Sequence, residues 1–390
     1  MRIALVASSL RLAGAEKQFV YMARALFEAG IDLQVCYLGA GDYYQEVLSR
    51  AGIPLRQIFK RNRPLVILFR LIKELYRFKP DVVLASQFGD LIFAGLAGRL
   101  LNCLVLGGVR SDGFYELRTS GRRSWLMLRL AHGFISNSYR AKDNLASRGV
   151  DSRKIAVLPN VIDLSDFDLQ AAQPLSRPAP AGRAVVTAVG SLHPCKRFDR
   201  FLEALALARI TEPSIFGVIA GKDLGARATL VERAKTLGLL PAHLVFLGQC
   251  DRIPALLKQS SLLMLCSDYE GFPNVLLEAM AARLPVLTTP VGDAGVIVKN
   301  AVTGYLVDNE DVKGMADCVV RLVKNRELSA QLGEAGRKRI EQEYDFPSLS
   351  GRLLSVFSDF ARQQRRNWLE RVALRNALSA AERSGDSASL

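Results

Sequence analysis

Ser267-Asp268-Tyr269-Glu270-Gly271-Phe272-Pro273-Asn274-Val275-Leu276-Leu277-Glu278-Ala279-Met280-Ala281 comes directly after a short apolar run, residues 262–266. The run reads as a buried strand, and residues 267–281 read as a turn and a helix. Gly271 lets the chain turn tightly. Pro273 suits the first turn of a helix, where its missing N–H goes unneeded. The helix then runs to about Ala282 and stops ahead of Pro285. Strand, turn and helix in this order are the unit from which parallel α/β sheets are built. The N–H groups of Asn274, Val275 and Leu276 face out of the helix start at the positive end of its dipole, a ready seat for a diphosphate. Glu278 stands about one turn further in, within reach of a ribose on that diphosphate, and a carboxylate accepts hydrogen bonds from two vicinal hydroxyls. Glu270 lies on the turn, on the other side of the phosphates, where a sugar would be. The dipole alone also favours acidic residues near a helix start, so the segment needs company to count as a site.

Two other segments supply that company. Gly190-Ser191-Leu192-His193-Pro194-Cys195-Lys196-Arg197 comes after the apolar run 184–189. Gly190 permits close backbone approach, and Lys196 stands where a helix begins. A lysine there neutralises charge building on a leaving phosphate. Leu12-Ala13-Gly14-Ala15-Glu16 comes after the run 3–7 and opens a helix. It departs from the G-x-G-x-x-G fingerprint, which disfavours dinucleotide binding. It reads either as an ordinary strand–helix turn or as a loop whose backbone nears a donor phosphate or an acceptor across a cleft.

Around these segments, short β-branched runs alternate with amphipathic stretches of helix length. Strands are expected at 3–7, 33–37, 82–85, 103–109 and 134–138, then at 184–189, 215–220, 244–247, 262–266, 285–289 and 304–307. Helices such as 16–29 and 65–78 lie between them. The pattern predicts an α/β fold with two parallel sheets. Gln173-Pro174-Leu175-Ser176-Arg177-Pro178-Ala179-Pro180 interrupts it as a linker. Residues 1–172 and 184–347 therefore form two similar domains joined by 173–183, and 348–390 form a terminal helix and tail. A cleft between two such domains is lined by the carboxyl ends of strands, where ligands bind.

The chain of 390 residues is 49% apolar and 23% charged, a globular composition. No apolar run approaches the ~20 residues that cross a bilayer as a helix, and the N-terminus lacks a secretory pattern. The six cysteines are widely spaced without a C-x-x-C pair, which suits buried free thiols in a reducing cytosol. Charge is uneven: residues 1–178 carry +10 of the net +14. The first half is thus expected to meet something anionic, whether a membrane surface, a phosphate-bearing acceptor or nucleic acid.

The Gly14-Ala15-Glu16 loop, Pro159-Asn160-Val161-Ile162-Asp163, Gly190-Ser191-Leu192 with Lys196, the Glu270–Glu278 segment and Thr303-Gly304-Tyr305-Leu306-Val307 stand in an order that resembles glycosyltransferase family four. The resemblance covers roughly residues 1–350. It implies the GT-B fold, two Rossmann-like domains facing each other across a deep cleft. It also implies a UDP- or GDP-linked donor bound mainly by the second domain, transfer with retention of configuration, and no cofactor or required metal. The implied catalytic residues are Lys196 and Glu270. The implied donor-binding set is Gly14, Gly190, Ser191, Lys196, Arg197, Phe272, Pro273, Asn274, Val275, Leu276 and Glu278. Glu16, Arg110 and Asp112 are the acceptor-side candidates. The chain departs from the family at Ser191, where arginine is common, at Val296, where glutamate is common, and in the loop after the fourth strand. That loop carries Arg110 and Asp112 instead of histidine, and Arg197 or a residue of the first domain is expected to make up the missing charge. Asp166-Phe167-Asp168 fits a metal-binding D-x-D pattern on paper and reads as a solvated loop.

Two basic segments carry large apolar residues. Arg61, Arg63, Arg70, Lys73, Arg77 and Lys79 accompany 65–72, and Arg118, Arg122, Arg123 and Arg129 flank 125–128. Each reads either as a solvated helix face or as a surface that lies on anionic membrane. The second reading places the protein at the inner face of the plasma membrane, acting on a glycan or polyprenyl-linked saccharide in cell-surface polysaccharide synthesis. Two other functions compete. A sugar-nucleotide 2-epimerase on the same fold needs acids and histidines around the sugar, and this chain has only three histidines. A nucleic-acid-binding protein needs base-stacking aromatics among its basic residues, whereas these arginines flank aliphatic runs.

Overall fold

The structure is a computed structural model, and it describes residues 1–11, 13–39, 43–58 and 63–365. Leu12, Arg61 and the tail from 366 onward lie outside the described residues. Within them, β1 (Arg2–Ala7), β2 (Asp32–Tyr37), β3 (Leu55–Gln57), β4 (Val82–Ala85), β5 (Leu104–Val109), β6 (Gly133–Ser136) and β7 (Ile155–Val157) form one sheet. Its order is β3-β2-β1-β4-β5-β6-β7. A second sheet takes β8 (Ala184–Val189), β9 (Ile215–Ala220), β10 (Leu244–Gly248), β11 (Leu262–Leu265), β12 (Val286–Thr288) and β13 (Gly304–Leu306), in the order β10-β9-β8-β11-β12-β13. The strand pairings are parallel in both.

Burial on both faces accounts for the unbroken apolar strands. In β1, Ile3, Leu5 and Ala7 enter one core while Ala4 and Val6 enter the other, because side chains alternate across a sheet. Strands β3 and β7, which the sequence pattern does not predict, are three residues each and occupy opposite edges of the first sheet. The loop bearing Arg110 and Asp112 consequently comes after the fifth strand, not the fourth. In each sheet the chain reverses direction of growth next to its first strand, between β1 and β4 and between β8 and β11. Connections there leave to opposite faces and open a crevice at the carboxyl ends of the strands.

Beyond the second domain the chain returns to the first. Ile162 N–H donates to the Tyr344 carbonyl, and Phe346 N–H donates to the Ile162 carbonyl. Helix 349–365 then buries Leu349, Leu353, Phe357 and Phe360 in the core that holds Ile3 and Leu5. The spacing of those four residues is helical, but where the stripe docks is set by a contact nearly two hundred residues back. Gly133 makes room for the Phe360 ring, which a Cβ there would meet at 2.2 Å.

A polar cluster fills the reversal in the first sheet. Ser8 Oγ and Gln87 N–H donate to the Asp90 carboxylate, and Ser9 and Gln87 side chains donate to Glu16. Burial pushes the Asp90 carboxyl up to about 6, against the pull of those hydrogen bonds.

Phe357→Ala removes a buried ring and is expected to cost about 3 to 5 kcal/mol in chemical denaturation; an unchanged midpoint would mean that the helix is not docked. The folded pKa of Asp90 lies above its unfolded value. Its stabilising contribution is therefore complete below the ordinary carboxyl range and is lost as pH rises through about 6. The Tm of the wild type minus that of Asp90→Asn should fall between about pH 4 and pH 7, and a constant difference would contradict the assignment.

Candidate functional site

Strands β8 and β11 are neighbours, so the segments that leave their carboxyl ends meet. After β8 the chain makes a short turn, Pro194–Lys196, and Arg197 adopts a left-handed conformation before the helix Phe198–Thr211. After β11 it makes the Ser267–Phe272 turn and enters the helix Asn274–Ala281, with Pro273 at its N-cap. Asp268 N–H donates to the Cys195 carbonyl at 2.8 Å, tying the two turns together. Lys196 Nζ donates to Glu270 Oε1 at 2.6 Å, and Ser267 Oγ donates to the same oxygen at 2.8 Å.

The Glu270–Phe272 turn also presses on the first domain. A Cβ on Gly271 would lie 2.4 Å from the Ser111 carbonyl oxygen, and one on Gly292 would lie 2.4 Å from the Glu270 oxygen. This ridge divides the cleft into two chambers of about 560 Å³ and about 1050 Å³, and Glu270 and Phe272 line both.

The smaller chamber is lined by Gly14 and Lys17 from the first domain and by Gly190, Lys196, Pro273, Asn274, Val275 and Glu278 from the second. Lys17 Nζ donates to Glu278 Oε1 at 2.9 Å across the cleft. Burial pulls the Lys17 ammonium down, but Glu278 and the nearby tyrosines more than offset it and hold it above the ordinary lysine range. Asn160 Nδ2 donates to Asn274 Oδ1 at 2.7 Å, and a Cβ on Gly14 would sit 3.1 Å from Asn274 Nδ2. Among the described residues the N–H groups of Asn274 and Val275 have no partner. Leu276 N–H does, donating to the Pro273 carbonyl at 3.0 Å, and its side chain is buried. Leu276 therefore offers no free donor, because the first turn of the helix closes on itself.

The larger chamber is lined by Arg110, Ser111, Asp112, Phe114, Tyr115, Arg118, Arg148, His193 and Tyr269, among others. Arg110 Nε donates to the Ser86 carbonyl at 3.3 Å. Burial pushes its guanidinium down to about 10, partly countered by Glu116, so it is charged at neutral pH. Asp112 Oδ1 accepts the Tyr115 N–H at 2.7 Å.

Several expected residues lie elsewhere. Arg197 turns away to Asp199 and Asp268, at 2.9 and 3.1 Å, two carboxylates that hold its guanidinium out of both chambers. Ser191 lines neither chamber, and its carbonyl accepts the His193 N–H. Glu16 faces the polar cluster beside β1 and β4 rather than an acceptor space. Asp166-Phe167-Asp168 is no solvated loop. It lies in the helix Leu164–Ala171, with Phe167 buried, Asp166 lining the smaller chamber and Asp168 paired with Arg337 at 2.8 Å. The cysteines are free, but Cys195 and Cys250 are only partly buried and line the chambers. His193 alone among the described histidines lines a chamber, and its Nδ1 accepts the Cys195 N–H.

Other residues bear on the site without standing in the motifs. Lys17 stands one residue beyond the Gly14-Ala15-Glu16 loop and a turn into its helix. Asp293 accepts the N–H groups of Tyr139 and Arg140 at 2.8 and 3.0 Å, so an acid of the second domain caps a helix of the first. Buried Arg200 holds Asp268, Glu310 and the Cys266 carbonyl. Glu116 accepts three backbone N–H groups of its own loop. Each is an ordinary charged residue in an ordinary helix or loop, marked only by its partner.

Both halves of the chain are also similar to known proteins. Residues 12–166 match the family model described as Glycosyltransferase Family 4, and residues 172–339 match that of the glycosyl transferases group 1. The N-acetyl-alpha-D-glucosaminyl L-malate synthase of Bacillus anthracis is 29% identical over 177 residues, 45% of this chain and 46% of that protein. The D-inositol 3-phosphate glycosyltransferase of Rhodococcus jostii is 32% identical over 220 residues, 52% of this chain and 47% of that protein. The matched stretch thus spans about half the length of these curated relatives. In three dimensions the chain resembles Anabaena HepE, solved with UDP and glucose, with a TM-score of 0.78 and 20% identity over 92% of this chain and 99% of that one. The two halves match in order and across most of the chain on a GT-B fold, and the chain belongs to glycosyltransferase family four.

Proposed function

We propose that the protein transfers a hexosyl group from a UDP- or GDP-linked donor to a hydroxyl of a glycan or lipid-linked saccharide, with retention and without a metal. The observation that carries this reading is the Lys196–Glu270 pair, standing where two adjacent strands end and where the two chambers meet. The diphosphate lies in the smaller chamber against the open N–H groups of Asn274 and Val275, with Gly14 and Gly190 leaving room for it. Lys196 turns from Glu270 to the phosphates and neutralises the charge that grows on them. Glu278 takes the ribose hydroxyls, and Lys17 gives way. The sugar sits at the Glu270–Phe272 ridge. The acceptor enters through the larger chamber past Arg110 and Asp112, and its oxygen bonds to the anomeric carbon as the bond to the diphosphate breaks. The acceptor proton passes to the leaving phosphate oxygen on the same face, so no strong general base is required.

Lys196→Ala and Glu278→Ala should each reduce transfer by about two orders of magnitude or more, measured as nucleoside diphosphate release with acceptor present. Near-normal turnover in both variants would sink the site assignment.

The same reading extends to where the protein works. The helix Pro64–Phe78 buries Ile67, Leu71 and Leu75 but exposes Leu65, Phe69 and Tyr76 beside Lys73 and Arg77. The helix Arg123–Leu130 exposes Trp125, with Arg129 over its ring. Both pack on the helix Leu91–Leu100 and so share one side of the first domain. Apolar side chains amid cations suit peripheral docking on the anionic inner leaflet of the plasma membrane. Sedimentation with anionic vesicles should exceed that with neutral ones and fall with salt, whereas equal partition would count against docking.

A further inference from the structure

The larger chamber has an electrostatic imbalance that the smaller one lacks. In the smaller chamber Lys17 and Lys196 each face a carboxylate. The larger chamber gathers three guanidiniums, those of Arg110, Arg118 and Arg148. Among the described residues none of the three has a carboxylate within ion-pair distance, although Arg197, Arg200 and Arg337 each hold two. Of the two acids that line this chamber, Glu270 is already taken by Lys196, which leaves Asp112.

Two of the arginines are also placed rather than loose. Arg110 is anchored on the Ser86 carbonyl, and Arg148 lies over the Phe114 ring at 5.1 Å. Tyr115 and Tyr269, both more than half exposed, offer aromatic faces beside them. Three planar cations without an ion-pair partner among the described residues thus line one concavity. Their forked donors match the oxygens of a carboxylate or phosphate.

We infer that the larger chamber binds an oxyanion, a carboxylate or phosphate, carried on the sugar that occupies it, held by Arg110, Arg118 and Arg148. This rests on the reading of the cleft as a donor site whose far side receives the sugar and the acceptor. The anion has two possible carriers, the acceptor and the transferred sugar itself. In either case the arginines select the charged substrate over its neutral counterpart.

The test uses the full chain at low salt, where exposed charges are least screened. Binding of glucose 6-phosphate, glucuronate and glucose is measured by calorimetry with the smaller chamber filled by whichever of UDP or GDP raises the Tm. In parallel, UDP-glucuronate is compared with UDP-glucose. The wild type should prefer the charged member by about tenfold or more in at least one arm, on the scale of a charge-assisted hydrogen bond. The arm that responds identifies the carrier. The double variant Arg118→Gln/Arg148→Gln should lose the preference while keeping the nucleotide shift in Tm, which certifies its fold. Each single variant should lose part of it. Equal binding of charged and neutral partners in both arms, or a preference that survives in the double variant, overturns the inference. If neither nucleotide shifts the wild-type Tm, the donor reading fails. The free-sugar arm run without nucleotide then still decides the arginine site.

Discussion

The absence of a side chain on Gly271 is the constraint on which the site depends. Any Cβ there would collide with the Ser111 carbonyl of the other domain. Because the contact is backbone against backbone, the Glu270–Phe272 turn can serve as a wall between the two domains. The turn is fixed from its own side as well. Ser267 carbonyl accepts from Thr289 Oγ1, Gly271 carbonyl accepts from Asp293 N–H, and Asp268 is held by Arg197 and Arg200. Glu270 is thus held on the ridge. One carboxylate thereby borders both the space suited to a nucleotide and the space suited to an acceptor.

Around that ridge the charges pair lysine to carboxylate: Lys17 with Glu278 and Lys196 with Glu270. Both pairs are largely withdrawn from water, so the cost of desolvating the two charges offsets much of their attraction and leaves little net stabilisation. Exchanging them for a diphosphate and a ribose is therefore a small rearrangement. The pairs keep the carboxylates and ammonium groups from being left unsatisfied in the narrow cleft, and a ligand that offers better partners displaces them. The Lys17–Glu278 pair spans both domains, as do the Asn160–Asn274 hydrogen bond and the Asp293 cap on the helix Tyr139–Ser147. On the proposed reading, nucleotide binding and the packing of the two domains draw on some of the same groups.

Most of the strands were legible because parallel sheets bury both faces and leave continuous apolar runs; β4, β8 and β9 match their predicted limits. The edge strands β3 and β7 were not, since each is only three residues long and buries at most one of them, which leaves no such run. The Glu270–Glu278 segment was legible because strand, glycine turn, proline and helix succeed one another in the sequence. What the sequence concealed depends on distant partners. Arg197 is diverted by Asp268, 71 residues away. Lys17 meets Glu278 from 261 residues away. The helix 349–365 carries an apolar stripe that any core would accept, and only the fold decides that it is the first.

The most direct measurement is a crystal structure of the chain with the nucleoside diphosphate that stabilises it. The diphosphate is expected within hydrogen-bond distance of Lys196 Nζ and the N–H groups of Asn274 and Val275. The ribose is expected on Glu278, with Lys17 released. A nucleotide bound outside the smaller chamber, or inside it with both lysine–glutamate pairs intact, would contradict this placement.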